Sequence, residues 1–319
     1  MLGEIVLNLV ANLICAILPL AAGLLLYWVR VRRRLRGFFG ITDARAGAVQ
    51  IRLSNLHVKP GGTQGPMPVR TGFVGPAIIA GEYQYAITLV AAIQSRPVAH
   101  ALRLLAEPLG VAGIDPPVMC QIDRSLDYVT LGAGGGAESH RPVDFVADDA
   151  LTARIHRVLA EHRCFVLVGS PVYNVLTYYV LSHGESRVEF VESPDEPGHQ
   201  ASAIKIKNFH PGGLDRVFPR RVLDTGDGRL VYEEYFVIQK IKNWNRTGTT
   251  ILICAGNSVS ATAAALAKLA DWGRLAKEFG GGSFAAVYML QTFDRELTGA
   301  GVDGLSGLGA ATRVWPPDQ

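Results

Sequence analysis

Residues 5–29 contain no Asp, Glu, Lys, Arg or His, and this run constrains the chain more than any other feature. As a helix it would be about 37 Å long at about 1.5 Å per residue, which exceeds the roughly 30 Å hydrocarbon core of a bilayer. Five arginines follow within residues 30–36, and the positive-inside rule then places the C-terminal side in the cytoplasm. The sequence therefore predicts a retained single-pass transmembrane helix in the cell membrane, with the N-terminus outside and the lipid bilayer as a partner.

The charge of the chain is concentrated next to this run. The sequence has 31 basic and 28 acidic residues, and subtracting the five arginines and Glu4 leaves 26 basic and 27 acidic residues. Because the remainder is nearly neutral, the basic pI gives little reason to expect nucleic acid as a partner. Asn8 and Asn12 are four residues apart on one helix face, where amides can hydrogen-bond a neighbouring helix, and this spacing predicts a homo-oligomer. The alternative is that both lie near the headgroups, since they are in the first third of the run.

The pattern of apolar segments predicts three parts: an anchor with its basic segment over 1–36, a cytoplasmic domain over 37–293 and a flexible tail over 294–319. Within the domain, uncharged strands near 164–168 and 249–256 are each followed by a helix, which is typical of a parallel sheet covered on both faces. Residues 186–245 have strand patterns without a helix. We expect a Rossmann-like α/β fold, mainly parallel, with a β-rich insert.

The first of two strand-to-helix junctions is VLVGSPVYNVLT. Here Gly169 suits a tight turn, Ser170 suits a helix N-cap and Pro171 suits the first helical turn. This interpretation leaves Asn174 and Thr177 inside the helix without a capping role. Their side chains are then candidates for ligand contacts at the carboxyl edge of the sheet, together with Gly169 and Ser170.

The second junction, LICAGNSVSATAAA, has a similar composition. Gly256 suits the turn and Ser258 or Ser260 suits the cap, whereas Asn257 and Thr262 lack an obvious structural role. The further candidates for ligand contacts are Gly256, Asn257, Ser258 and Thr262. Two such junctions on one sheet edge predict a ligand pocket, although a purely structural role for each junction is the alternative. Neither loop matches a dinucleotide or P-loop motif, and the cysteines and histidines show no metal-site spacing, so the sequence indicates no metal and specifies no cofactor.

Charged residues that can serve this pocket are few. Neither junction contains Lys or Arg, so a bound phosphate would need backbone N–H groups or a cation from the later strands, such as Lys240, Lys242 or Arg246. Glu82 lies in an apolar helical pattern that runs from residue 75 to residue 94, and a buried carboxyl group there would have a raised pKa and act as an acid, base or nucleophile. The alternative is that Glu82 lies on the solvated side of its helix.

The segments GSPVYN, EYFVIQKIKNW and TTILICAGNSVSAT together resemble a group of prokaryotic Rossmann-like domains with a strand-Gly-Gly-Pro-x-x-Asn-helix motif. The resemblance covers about residues 164–290. The chain departs from the motif at Ser170, where a second glycine is expected. The resemblance implies the fold and a nucleotide-like ligand, and it implies no known reaction.

These observations lead to one main hypothesis and two alternatives. The main hypothesis is a membrane-anchored cytoplasmic sensor or effector that binds a nucleotide-like small molecule, with a role in stress or antiviral defence signalling. The first alternative is an enzyme that cleaves a nucleoside or nucleotide glycosidic bond with Glu82 as its carboxylate. The second is a membrane scaffold that binds no ligand.

Overall fold

The fold was analysed in a computed structural model. It describes residues 2–41, 49–54, 56–58, 75–77, 80–94, 118–124, 126, 129–131, 149–161, 164–183, 185–193, 202–207, 214–224, 226, 230–293 and 311–316.

Helices and strands alternate through much of the described chain. The helices are α1 (Leu2–Phe39), α2 (Ala80–Gln94), α3 (Asp149–Leu159), α4 (Val175–His183), α5 (Val259–Ala270) and α6 (Trp272–Phe279). The strands are β1 (Val49–Leu53), β2 (Leu56–Val58), β3 (Gly75–Ala77), β4 (Cys120–Arg124), β5 (Val129–Leu131), β6 (Cys164–Val168), β7 (Val188–Val191), β8 (Ala203–Ile206), β9 (Arg216–Pro219), β10 (Arg221–Asp224), β11 (Leu230–Lys242), β12 (Thr250–Gly256), β13 (Phe284–Phe293) and β14 (Thr312–Trp315).

The central sheet has eight strands in the order β14-β13-β11-β12-β6-β1-β4, with β10 paired to β11 outside this path. The pairs β4-β1, β1-β6 and β6-β12 are parallel, whereas β11 is antiparallel to β10, β12 and β13, and β14 is antiparallel to β13. Only β11 and β14 therefore run against the other six strands. The predicted mixed α/β fold with a mainly parallel central sheet is confirmed.

The parallel part of the sheet has a point at which the direction of winding reverses. β1 leads through α2 to β4 on one side, whereas β6 leads through α4 toward β12 on the other side, and β1 and β6 are neighbours. In open α/β sheets, the carboxyl ends of the strands at such a switch point border a crevice where ligands bind.

Each face of the central sheet is covered by a separate hydrophobic core. The end of α1 packs with α2, α5 and α6 on one face, where Phe39, Leu89 and Leu266 are buried. Helices α3 and α4 cover the other face, where Ile155 and Val180 are buried. The uncharged strand β6 is buried on both faces because it lies between these two cores.

Two smaller sheets complete the described fold. β7, β8 and β9 form an antiparallel sheet in the order β7-β8-β9, and β2 lies between β3 and β5. The helix predicted to start at residue 75 begins instead at Ala80, because Gly75–Ala77 pairs with β2 as a strand. Proline is compatible with such a short edge strand, since an edge position does not require every backbone N–H.

The two ends of the chain differ from the predicted boundaries. Helix α1 continues past residue 36 to Phe39, and Phe38 and Phe39 belong to the core, so the helix and the domain are not separate there. Thr312–Trp315 forms a strand against β13 in the segment expected to be a flexible tail, while residues 294–310 lie outside the described residues. Within the described residues, no helix combines the length and the apolar character that crossing a membrane requires, so the predicted anchor over 5–29 has no support from the structure.

Candidate functional site

The candidate site lies where β1 and β6 end side by side. Ser54 directly follows β1, and Gly169 and Ser170 directly follow β6. Helix α2 supplies Glu82 from its first turn, and helix α4 begins nearby at Val175. The structure thus brings Glu82 and the first junction together at the switch point of the sheet.

Glu82 is the central polar group of this site. Its side chain is only 1% exposed, so the alternative of a solvated carboxylate is wrong. The Ser54 backbone N–H donates to Oε2 at 3.3 Å, and the Ser54 hydroxyl donates to Oε1 at 3.1 Å. One serine therefore holds both carboxyl oxygens of Glu82.

Burial changes the acidity of Glu82. It raises the pKa from the ordinary 4.5 to about 7, and the hydrogen bonds from the Ser54 hydroxyl and backbone oppose this rise because they favour the charged form. Protonated and ionised forms of Glu82 are therefore both populated near neutral pH. A carboxyl group whose pKa is close to the working pH can serve as a proton donor or as a proton acceptor.

Gly169 permits the close approach of β6 to this pair. Its φ is +102°, and a Cβ at this position would lie 2.2 Å from Ser54 Oγ and 3.4 Å from Glu82 Oε1. A side chain would therefore collide with the serine that holds the carboxylate. The predicted turn role of Gly169 is confirmed, and the structure adds that the residue forms a wall of the site.

Asn174 has the capping role that the sequence analysis gave to Ser170. Helix α4 begins at Val175, and Asn174 Oδ1 accepts hydrogen bonds from the backbone N–H groups of Leu176 at 3.0 Å and Thr177 at 3.3 Å. The Asn174 amide also donates to the carbonyls of Val168 at 2.7 Å and Arg52 at 3.1 Å. The expected cap at Ser170 is wrong, because the helix begins five residues later at Val175 and its first N–H groups bond to Asn174.

The hydroxyl groups of Ser170 and Thr177 are buried and make no hydrogen bond with any described residue. Ser170 is 4% exposed and Thr177 is fully buried. A buried polar atom without a partner costs roughly 1–3 kcal/mol. These two hydroxyls therefore stand out as groups that a bound molecule could satisfy.

The polar side chains of the second junction are all used within the protein. Asn257 Oδ1 accepts from the Tyr235 backbone N–H at 2.9 Å, and its amide donates to the Ser202 carbonyl at 3.2 Å. Ser258 caps α5 by accepting from the Ala261 N–H at 3.0 Å. These contacts explain both residues as structural.

Thr262 and Gly256 close the same junction. The Thr262 hydroxyl donates to the Ser258 carbonyl at 3.0 Å and accepts from the Gly256 N–H at 3.1 Å. A Cβ on Gly256 would lie 2.5 Å from the Ala261 Cβ, so a glycine is needed where strand and helix meet. The second junction thus has the tight geometry predicted for it, with its side chains already paired.

The two candidate lysines lie toward the opposite end of the sheet. In the pairing of β11 with β12, Lys242 is opposite Thr250 and Lys240 is opposite Leu252, whereas the carboxyl end of β12 at Gly256 is opposite Phe236. Lys242 is exposed, and Lys240 is buried and donates to the carbonyls of Gly37 and Gly281. The structure does not bring either lysine to the crevice.

Sequence reasoning missed Ser54. The residue ends a strand of buried residues, and a polar residue at the carboxyl end of a parallel strand is a usable signal. Its importance depends on Glu82, which is 28 positions further along the chain. In the described ranges, no group of three or more His, Cys, Asp or Glu side chains is arranged as a metal site.

Comparisons with known proteins returned no match for this chain among family models, curated proteins or solved structures. The architecture defines the class, a mixed α/β domain whose central sheet has a switch point between β1 and β6. The resemblance to Rossmann-like domains with a Gly-Gly-Pro-x-x-Asn motif stays a prediction from the sequence.

Proposed function

We propose that the protein is a sensor that binds a nucleotide-like small molecule in the crevice between β1 and β6. The observation that carries this proposal is the buried pair of Glu82 and Ser54 at the switch point of the sheet. Burying a carboxyl group is costly, and α2 holds it at the one edge position where open α/β sheets bind ligands.

The polar groups of the crevice favour the sugar part of such a ligand. Glu82 offers carboxyl oxygens that accept hydrogen bonds from hydroxyl groups, and the hydroxyls of Ser170 and Thr177 can donate or accept. Part of the α4 N-terminus is already occupied, because Asn174 accepts from two of its N–H groups. A ribose with two neighbouring hydroxyls matches this arrangement better than a phosphate placed beside Glu82.

Helix α1 is a route by which binding can be signalled. Its 38 residues span about 57 Å at about 1.5 Å each, and its final turns are buried against the domain through Leu35, Phe38 and Phe39. A change in the domain core therefore moves the long exposed part of α1. The proposal includes two further points. Helix α1 clusters with the same helix of a second copy, and the protein acts in stress or defence signalling.

The membrane location rests on the sequence of residues 5–29. Extraction of cell membranes with alkaline carbonate tests it, since an inserted protein stays in the pellet and a peripheral protein is released. Release of the full-length chain would remove the membrane from the proposal and leave ligand binding in place.

A panel of nucleosides, nucleotides and cyclic or linear oligonucleotides tests ligand binding by the thermal shift of the full-length protein. We expect a rise in melting temperature with one class. Ser170→Ala should weaken this shift without lowering the stability of the free protein, because the hydroxyl has no hydrogen-bond partner among the described residues. Ser182→Ala, on the exposed side of α4, is the matched control.

If no member of the panel raises the melting temperature, the sensor proposal fails and the scaffold hypothesis replaces it. If a member binds and Ser170→Ala binds as tightly as the wild type, the ligand does not lie in the crevice. The two outcomes separate the existence of a ligand from its place.

A second candidate function is cleavage of a glycosidic bond, and the pKa of about 7 at Glu82 favours it. A carboxyl group with this pKa suits protonation of a leaving group at neutral pH. Product release from the same panel, measured by chromatography, detects such turnover. Glu82→Gln should abolish turnover while the ligand still binds; undiminished turnover in this variant would exclude Glu82 as the acid.

A further inference from the structure

A cavity of about 780 Å³ lies between the end of α1 and the end of α6, far from the crevice. Its volume falls within the roughly 300–1,000 Å³ that is typical of small-molecule sites. Helix α1 contributes one face to it, with lining residues spaced three or four positions apart from Leu26 onward. The turn after α6 contributes the opposite wall through Gly280 and Gly281.

The two ends of the cavity differ in chemistry. Leu26 and Val29, the last part of the uncharged run, line one end of it, and Arg30, Arg33 and Arg34 line it over the next turn of α1. All three arginines are exposed. The lining thus changes from apolar to cationic along a single helix face.

The positive charge of the cavity is not balanced by its own lining. None of the described lining residues is Asp or Glu, and Glu278, which lies nearby on α6, is engaged by Arg313. Guanidinium groups bind phosphate oxygens through paired N–H donors, and this geometry makes arginine well suited to phosphate.

The floor of the cavity is held by a buried cation. Lys240 is 1% exposed, and its Nζ donates to the carbonyls of Gly37 at 3.0 Å and Gly281 at 2.7 Å, both of which line the cavity. This contact ties α1 to the turn after α6. A buried lysine therefore joins the two walls of the cavity, although its ammonium group is not part of the lining.

From this arrangement we infer that the cavity binds an anionic phospholipid, with its phosphate at Arg30, Arg33 and Arg34 and its acyl chains along Leu26 and Val29. Charge complementarity selects the headgroup, because a phosphodiester with no positive charge of its own neutralises the arginines. The apolar end selects a lipid over a free phosphate, because it offers surface for acyl chains to cover.

Native mass spectrometry of the full-length protein in a non-ionic detergent tests this inference, with dioctanoyl phosphatidylglycerol as the probe. Dioctanoyl phosphatidylcholine has the same chains and a neutral headgroup, and inorganic phosphate has no chains. We expect at least tenfold tighter binding of phosphatidylglycerol than of either control compound.

Variants assign the binding to the cavity. The double variant Arg33→Gln/Arg34→Gln should lose at least tenfold in affinity for phosphatidylglycerol while its melting temperature stays unchanged, since both side chains are exposed. Arg221→Gln makes a charge change on the exposed strand β10 and should bind as the wild type. Val29→Asn should weaken binding of the lipid and leave any binding of phosphate unchanged.

Equal binding of phosphatidylglycerol and phosphatidylcholine would overturn the inference, as would wild-type affinity in the double arginine variant. Displacement of the lipid by an equal concentration of inorganic phosphate would show a free-phosphate site and would also overturn it. None of these outcomes bears on the nucleotide proposal, because the crevice shares no residue with this cavity.

Discussion

Ser54 holds the Glu82 carboxyl group from two sides, with its backbone N–H 3.3 Å from Oε2 and its hydroxyl 3.1 Å from Oε1. The two residues come from different elements, one at the end of β1 and one in the first turn of α2. Their contact places an ionisable group with a pKa of about 7 at the edge of a parallel sheet.

Removal of the Ser54 hydroxyl should raise the pKa of Glu82 further above about 7. A hydrogen bond to a charged group contributes roughly 1.5 kcal/mol, which corresponds to about one pH unit, and it favours the ionised form. Titration of Ser54→Ala by carbon NMR of labelled glutamate carboxyl groups measures the change. Ser182→Ala should leave the Glu82 titration where it is, and an unchanged titration in Ser54→Ala would contradict the contact.

Stability should fall as the pH rises from 4.5 to 7. The pKa of Glu82 is higher in the folded state than in the unfolded state, so the folded state keeps a proton that the unfolded state has released. This contribution to the free energy of unfolding is fully present below pH 4.5 and is lost as the pH rises past about 7. It amounts to about 3 kcal/mol, because each unit of pKa difference corresponds to about 1.4 kcal/mol. Urea unfolding of Glu82→Gln at pH 5 and pH 8 should show a smaller difference than the wild type.

The control for this pH dependence is Glu185→Gln, which changes an exposed glutamate. This variant should keep the wild-type difference between pH 5 and pH 8. If Glu82→Gln also keeps the wild-type difference in stability between pH 5 and pH 8, the Glu82 carboxyl group is not shielded from solvent in the folded state.

Gly169→Ala should destabilise the protein by about 3 kcal/mol, because it combines a left-handed φ with a steric collision. Gly226→Ala separates these effects, since Gly226 has a φ of +78° and open space around it, and it should cost about 1 kcal/mol. Thermal or urea unfolding measures both. In the double variant Gly169→Ala/Ser54→Ala, the colliding Oγ is gone, so the loss should be smaller than the sum of the single losses. Additive losses would argue against the close approach of Gly169 to Ser54.

Asn174→Ala should cost about 3 kcal/mol of unfolding free energy. It removes the cap of α4, worth about 1 kcal/mol, and leaves the buried carbonyls of Val168 and Arg52 without the amide. Asn174→Ser keeps an oxygen for the cap and loses the amide, so we expect about half of this loss. If Asn174→Ala is as stable as the wild type, the cap does not form. Ligand binding by this variant is compared with the wild type at a temperature where both are folded.

Much of the architecture was predictable because it depends on local patterns. The uncharged segments at 164–168 and 250–256 form adjacent parallel strands, and a helix follows each of them. Burial of Glu82 was one of two options, since an acidic residue in the first turn of an apolar helix fits either face. The order of the strands was not predictable, because pairing between distant strands leaves no local pattern.

The roles of individual polar residues depended on the tertiary structure. Ser170 and Pro171 satisfy every local rule for a helix start, and Asn174 was left over as a ligand candidate. Contacts between distant segments determine these roles, because the Asn174 amide donates to the Arg52 carbonyl, 122 positions away in the sequence. Lys240 was predicted as a cation for a bound phosphate, whereas the structure buries it and its Nζ donates to the carbonyls of Gly37 on α1 and Gly281 after α6.

By itself, the sequence determined the class of fold and the place of the two strand-to-helix junctions, because apolar periodicity and such junctions act over a few residues. Only the tertiary structure decided which polar groups meet there. It joined Ser54 to Glu82, gave Asn174 the cap and left the hydroxyls of Ser170 and Thr177 buried without a partner among the described residues. The physical reason is that hydrogen-bond pairing depends on distances between elements, which the packing of helices on a sheet sets and the local sequence does not.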